Sequence, residues 1–130
     1  MSLNQAVIGL GSNIDPEENI LKARNAIEGE FKLIKSSSFV ETEPVGYEEQ
    51  DAFINGALLI ETELELVSLK SWLNDLESSL GRVRTDNKYG PRSIDLDILV
   101  WNGEVIDEEV YEREFLRRSI MELLPEIGLN

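Results

Sequence analysis

Cysteine and histidine are both absent from this 130-residue chain. Without cysteine there is no disulfide framework, no zinc–thiolate site and no thiol nucleophile. Without histidine there is no imidazole metal ligand, no Ser–His pair and no imidazole acid–base chemistry. Any metal must be held by oxygen, a donor set that suits magnesium, calcium or manganese. Positive charge is scarce: 12 Lys and Arg stand against 26 Asp and Glu, a net charge of −14. Nucleic acid and anionic membrane surfaces attract basic patches, so neither is an expected partner. No apolar run approaches the roughly 20 residues that cross a bilayer. Met1 to Ala6 has neither the basic nor the long apolar region of a signal peptide. The expectation is a cytoplasmic monomer with a single domain over residues 1–130.

What the chain does have is enough apolar residue, 42%, for one core. Gln5 to Leu10 predicts a buried strand, and Gly11-Ser12-Asn13 a tight turn. Asp15-Pro16-Glu17-Glu18 predicts a helix start with Asp15 as N-cap. Ile20, Ala23 and Ile27 share the apolar face of that helix, and Gly29 is the expected stop. Phe31 to Val40 and Phe53 to Glu61 predict strands, separated by a polar loop. Leu66, Leu69, Leu73, Leu76 and Leu80 mark a second helix, stopped by Gly81. Residues 81–93 are highly charged and lack periodicity, as in a loop. Ile94 to Trp101 alternates as a strand, Asn102-Gly103 signals a hairpin, and Val105-Ile106 is the returning arm. A last helix is expected over Glu112 to Leu124. The order predicts an α+β fold: a ferredoxin-like βαββαβ antiparallel sheet with helices on one face, plus a C-terminal hairpin and helix. The other sheet face is left for loops and ligands.

The chemistry concentrates in two places. Side chains two apart on a strand share a face, so Ile94, Leu96, Ile98 and Val100 are expected in the core. Asp95 and Asp97 then face the other way, roughly 7 Å apart. Such a pair suits a solvated sheet face, or a cation such as magnesium bridging phosphates. Just upstream, Arg82, Arg84, Lys88 and Arg92 put four of the twelve cations into eleven positions. Arginines fork onto phosphate oxygens while carboxylates hold bridging metal, so the two groups together fit a magnesium–triphosphate. There is no G-x-x-x-x-G-K-[ST] segment and no dinucleotide-binding glycine pattern. Phe53 and Asn55 share a strand face, where an aromatic wall and an amide edge could receive a flat heterocycle or serve as core and edge residues.

Lys88-Tyr89-Gly90-Pro91-Arg92-Ser93-Ile94-Asp95-Leu96-Asp97-Ile98-Leu99 resembles the signature of the 6-hydroxymethyl-7,8-dihydropterin pyrophosphokinase family. Gly81-Arg82-Val83-Arg84, Gly11-Ser12-Asn13 and the stretch Thr42 to Asn55 match it too, and the similarity covers residues 6–125. The resemblance implies a ferredoxin-like fold and transfer of pyrophosphate from ATP to the pterin hydroxymethyl group in folate biosynthesis, with two magnesium ions. It implies that Asp95 and Asp97 hold the metals. Arg82 and Arg92 would act on the phosphates, with Arg84 on a mobile loop. Asn74, Glu77, Ile98 and Arg113 would line the ATP site. Thr42, Pro44, Val45, Gly46 and Asn55 would surround the pterin, with Phe53 and Phe115 sandwiching its ring and Tyr89 beside it, where the family more often has Trp. The family usually carries a histidine-bearing segment before its last helix. Here the segment is shortened, Arg113-Glu114-Phe115 aligns with the family's Arg-x-Phe, and Ser119 stands for an expected Pro. A noncatalytic or altered-substrate ATP- or pterin-binding homologue is the alternative.

Overall fold

The computed structural model describes residues 3–43, 52–81 and 93–129. Six strands form one antiparallel sheet: β1 (Asn4–Ser12), β2 (Lys32–Ser36), β3 (Val40–Thr42), β4 (Phe53–Thr62), β5 (Asp95–Trp101) and β6 (Glu104–Val105). Their order is β2-β4-β1-β5-β6, with β3 also paired to β4. The helices are α1 (Pro16–Glu30), α2 (Leu66–Ser79), α3 (Glu109–Glu112) and α4 (Glu114–Leu123), followed by a 3-10 turn at Pro125–Ile127. The sheet is the expected split βαβ arrangement, with central β1 flanked by β4 and β5.

One sheet face is sealed by α1 and α2. Ile20, Ala23 and Ile27 of α1 and Leu69 and Leu73 of α2 pack on Ala6, Ile8, Leu10, Leu58, Ile60, Ile94 and Leu96. Phe31 and Trp72 close the end of this layer edge-to-face, with ring centroids 4.8 Å apart. The opposite face is not wholly open. Val110, Ile120, Leu123 and Leu124 cover Val7, Ala57, Leu59, Leu99 and Val100.

Several expectations are corrected. Val100 does not join Ile94 and Leu96; it belongs to the opposite core. The register against β1 shifts between Val7, opposite Val100, and Ile8, opposite Ile98. Leu99 is thus the extra residue of a bulge, which reverses the facing of the strand beyond it. Gly11 and Ser12 are not a turn but the end of β1, paired to Asn55 and Ile54. Asp15 is the N-cap of α1, as expected, but with φ +41° its side chain makes no capping bond; Asn19 Nδ2 ties the first turn to the Ile14 carbonyl at 2.6 Å. Gly29 lies inside α1, whose C-cap is Phe31.

The strand expected over 31–40 is shorter and split. The register shifts between Leu33 and Lys35. Past the end of β2, the Ser37 N–H still donates to the Ala57 carbonyl at 2.9 Å, but the Ser37 hydroxyl, not its carbonyl, accepts the Ala57 N–H, at 2.8 Å. The Phe39 ring lies where a Cβ on Gly56 would be, 2.5 Å from its ring atoms. The hairpin signal holds: Asn102 and Gly103 have φ +48° and +85°, as a two-residue turn requires. Its return pairs Glu104 with Trp101 and Val105 with Val100, while Ile106 lies past the strand. The expected last helix is two, broken at Arg113.

Candidate active site

The helices α3 and α4 cover only part of their sheet face, and the uncovered part carries the predicted chemistry. In register, Asn55 of β4 lies opposite Gly11 of β1, and Gly11 lies opposite Asp95 of β5. One step along, Ala57, Gly9 and Asp97 form the next row. Two glycines in the central strand leave a floor of bare backbone between β4 and the two carboxylates, and neighbouring side chains lie over it. The floor is closely fitted: a Cβ on Gly11 would stand 2.5 Å from Asn55 Oδ1, and one on Gly9 would stand 3.0 Å from Leu99 Cδ1. Asn55 Nδ2 donates to Thr42 Oγ1 at 2.6 Å, which aims the amide. Phe53 and Phe115 are half-buried and belong to neither apolar core.

A cavity of about 870 Å³ adjoins this floor, between α2, the edge of β5 and α3. Ligand clefts commonly enclose about 300–1,000 Å³. Asn74, Glu77, Asp95, Asp97 and Ile98, drawn from α2 and β5, all line it. Arg113 does not line it, but its Nε lies 3.8 Å from Glu109, which does. Arg82, Arg84, Tyr89 and Arg92, with Pro44, Val45 and Gly46, lie outside the described residues.

The electrostatics of the cavity are one-sided. Asp75, Glu77, Asp95, Asp97, Asp107, Glu108, Glu109 and Glu112 line it against Lys70. The Asp97 carboxyl is pushed up to about 8. Crowding by protein atoms is the first cause, although the side chain reaches solvent; the charges of Asp95, Asp107, Glu77 and Glu109 add to it. Such a site resists a second negative charge and favours a cation.

Two contacts hold β5 in place beneath this site. The Ser12 hydroxyl lies 2.6 Å from the Ser93 carbonyl, to which it donates, and 3.0 Å from that of Ile14. Glu77 Oε2 accepts the Leu96 amide at 2.7 Å. The glycine floor and the Ser12 link were not anticipated, because Gly11-Ser12 reads as a turn. The inward facing of Glu77 had a signal, since it follows Leu69 and Leu73 at four-residue spacing on α2.

A family model for 7,8-dihydro-6-hydroxymethylpterin-pyrophosphokinase matches residues 7–125. The chain belongs to that pyrophosphokinase family. It is 38% identical to the 2-amino-4-hydroxy-6-hydroxymethyldihydropteridine pyrophosphokinase of Bacillus subtilis, over 95% of this chain and 80% of the relative. It is 34% identical to the enzyme of the same name from Haemophilus influenzae, over 95% and 84%. It is also 37% identical to the folic acid synthesis protein fol1 of Schizosaccharomyces pombe, over 94% of this chain but 18% of that longer protein. The α+β architecture expected from the order of elements accords with this membership. Among the described residues, no helix is long and apolar enough to cross a membrane.

Proposed function

We propose that this pyrophosphokinase-family chain transfers the pyrophosphoryl group of ATP to the hydroxymethyl oxygen of 6-hydroxymethyl-7,8-dihydropterin, releasing AMP, in folate biosynthesis. The observation that carries the reading is the cross-strand row Asn55–Gly11–Asp95. It sets an amide suited to a heterocycle edge on the same face as a carboxylate suited to a metal–phosphate. The bare backbone of Gly11 lets the Asn55 amide lie across the central strand, on the face that carries Asp95. The pterin would lie on the glycine floor, hydrogen-bonded by Asn55 and Thr42 and walled by Phe53 and Phe115. The nucleotide would lie along the cavity, past Ile98 and Asn74. Pro44, Val45, Gly46 and Tyr89 are assigned to the pterin, and Arg82, Arg84, Arg92 and Arg113 to ATP, on the family resemblance.

Magnesium fits the donors present. They are oxygen-only, they share a face, and the raised Asp97 carboxyl marks negative charge that a divalent cation relieves. No group of three or more acidic ligands forms among the described residues. Asp95 and Asp97 would therefore hold two magnesium ions jointly with phosphate oxygens and water. The ions supply neutralisation of charge around the β-phosphate. The protein's own work is positional. The hydroxymethyl oxygen must sit in line with the β-phosphorus while the bond to the α-phosphate oxygen breaks. Arg82 and Arg92 would add charge-assisted hydrogen bonds to the phosphates as charge moves onto AMP.

The acidic wall Glu108, Glu109 and Glu112, in a chain without histidine, favours a second reading: a homologue that binds ATP or a pterin without this transfer, or uses another acceptor. AMP release from magnesium–ATP, with and without the pterin, separates the two. Pterin-dependent AMP is the expected result. Binding of either ligand with no AMP release would favour the second reading.

A further inference from the structure

Glu77 is the one carboxylate of the cavity wall that is deeply buried, 2% exposed, and it faces β5 rather than solvent. Leu96, whose amide it accepts, is the residue between Asp95 and Asp97. The reason for a carboxylate there lies in the sheet. β5 is paired to β1 from Asp95 to Trp101, but β6 reaches only Val100 and Trp101 on the other edge. Over residues 95–98 that edge has no strand beside it among the described residues. The Leu96 N–H points out of that bare edge, and a buried N–H must find an acceptor. Glu77 supplies one from α2, at 2.7 Å. A neutral acceptor could make the same bond. The Glu77 charge also adds to the negative field acting on Asp97.

We propose that Glu77 is a positioning residue: its bond to the Leu96 amide fixes the strand segment carrying Asp95 and Asp97, and so the separation at which the two carboxylates meet a divalent cation. This rests on the proposed metal role of that pair, and it differs from a direct contact between Glu77 and the nucleotide. Three substitutions distinguish the roles. Glu77→Gln keeps the acceptor and removes the charge. Glu77→Leu keeps the bulk and removes the acceptor. Glu77→Asp keeps the charge and shortens the reach.

The first readout needs no turnover. In metal-free protein, the Leu96 amide should exchange at least about tenfold faster in Glu77→Leu than in the parent, with Glu77→Gln near the parent. Manganese titration followed by electron spin resonance should show weaker binding in Glu77→Leu and Glu77→Asp, and near-parental binding in Glu77→Gln. In turnover, Glu77→Leu should lower kcat by about 30-fold or more with the KM for ATP within about threefold, and Glu77→Gln should restore most of kcat. A raised KM for ATP at unchanged kcat would make Glu77 a nucleotide ligand and overturn the proposal. So would Gln and Leu variants with equal loss, or parental manganese binding in Glu77→Leu. If the parent releases no AMP, amide exchange and manganese binding still decide the role of Glu77, separately from the reaction assigned to the chain.

Discussion

The two faces of this sheet are built from the same strands yet obey different rules. Beneath α1 and α2 the inward positions of β1, β4 and β5 carry Ile8, Leu10, Leu58, Ile60 and Leu96, joined by Ile94 just before β5, all buried at 4% exposure or less. On the other face the same strands carry Val7, Ala57, Leu59 and Val100 at one end, under α3 and α4, and Gly9, Gly11, Asn55, Asp95 and Asp97 at the other. β5 crosses from one regime to the other within seven residues. The Leu99 bulge sits at the crossing, next to Gly9. A bulge increases local twist and re-aims side chains. Here it separates a strand half that carries carboxylates from a half that packs apolar. Stability and chemistry are thus assigned to different faces, and substitutions should separate along that line.

The largest effect is expected on the sealed face. Ile27 of α1 is fully buried there. Ile27→Ala removes buried methyl groups and leaves a cavity, at a cost of about 2–5 kcal/mol in unfolding free energy. Urea titration measures it, and kcat measured well below the midpoint should be nearly parental. Next comes the open face. Asp97→Ala should lower kcat/KM by at least about 100-fold, near 2.7 kcal/mol of barrier, without reducing stability. Activity above about a tenth of parental would remove Asp97 from the role assigned to it.

How far this division is legible in sequence depends on how regular the pattern is. The helical periods of α1 and α2, the Asn102-Gly103 turn and the Asp95/Asp97 alternation are local signals that the fold keeps. The Leu99 bulge has no such signal. Ile98-Leu99-Val100-Trp101 is apolar at every position, so alternation cannot report which face each residue takes. The break at Arg113 is likewise hidden, because Val110 and Ile120 both serve one apolar layer while the helix axis changes between them. At the candidate site, the carboxylates were legible as a pattern. Their partners across the sheet were not, since Gly11 opposite both Asn55 and Asp95 is a fact of register. Arg82, Arg84 and Arg92 remain assigned by composition and resemblance.

Gly11 offers a sharper test because it touches only the open face. Alanine there places its Cβ 2.5 Å from Asn55 Oδ1. That atom ends a rotatable side chain, so the strand should survive while Asn55 turns off Thr42. The expected result is a rise of about tenfold in the pterin KM, near 1.4 kcal/mol, with the ATP KM and the melting temperature close to parental. A matching rise in the ATP KM would mean that the glycine floor does not divide the two ligands as proposed.

The subtlest expected effect is a pH slope that only the open face should show. In metal-free protein the Asp97 carboxyl is raised from 3.8 to about 8 by crowding and by its acidic neighbours. The folded state therefore binds this proton more tightly than the unfolded chain does. Between about pH 4 and pH 8 the folded form holds the proton that the unfolded form has released, so this contribution to stability falls as pH rises. Below the unfolded value it is fully favourable; above about 8 it is gone. Denaturant titrations in EDTA across this window should show a steeper decline for the parent than for Asp97→Asn, which cannot titrate there. Magnesium should stabilise the parent more at pH 8 than at pH 5, because cation and proton compete for one carboxylate. Equal slopes for parent and Asp97→Asn would place the cavity's excess negative charge on its other acids rather than on Asp97.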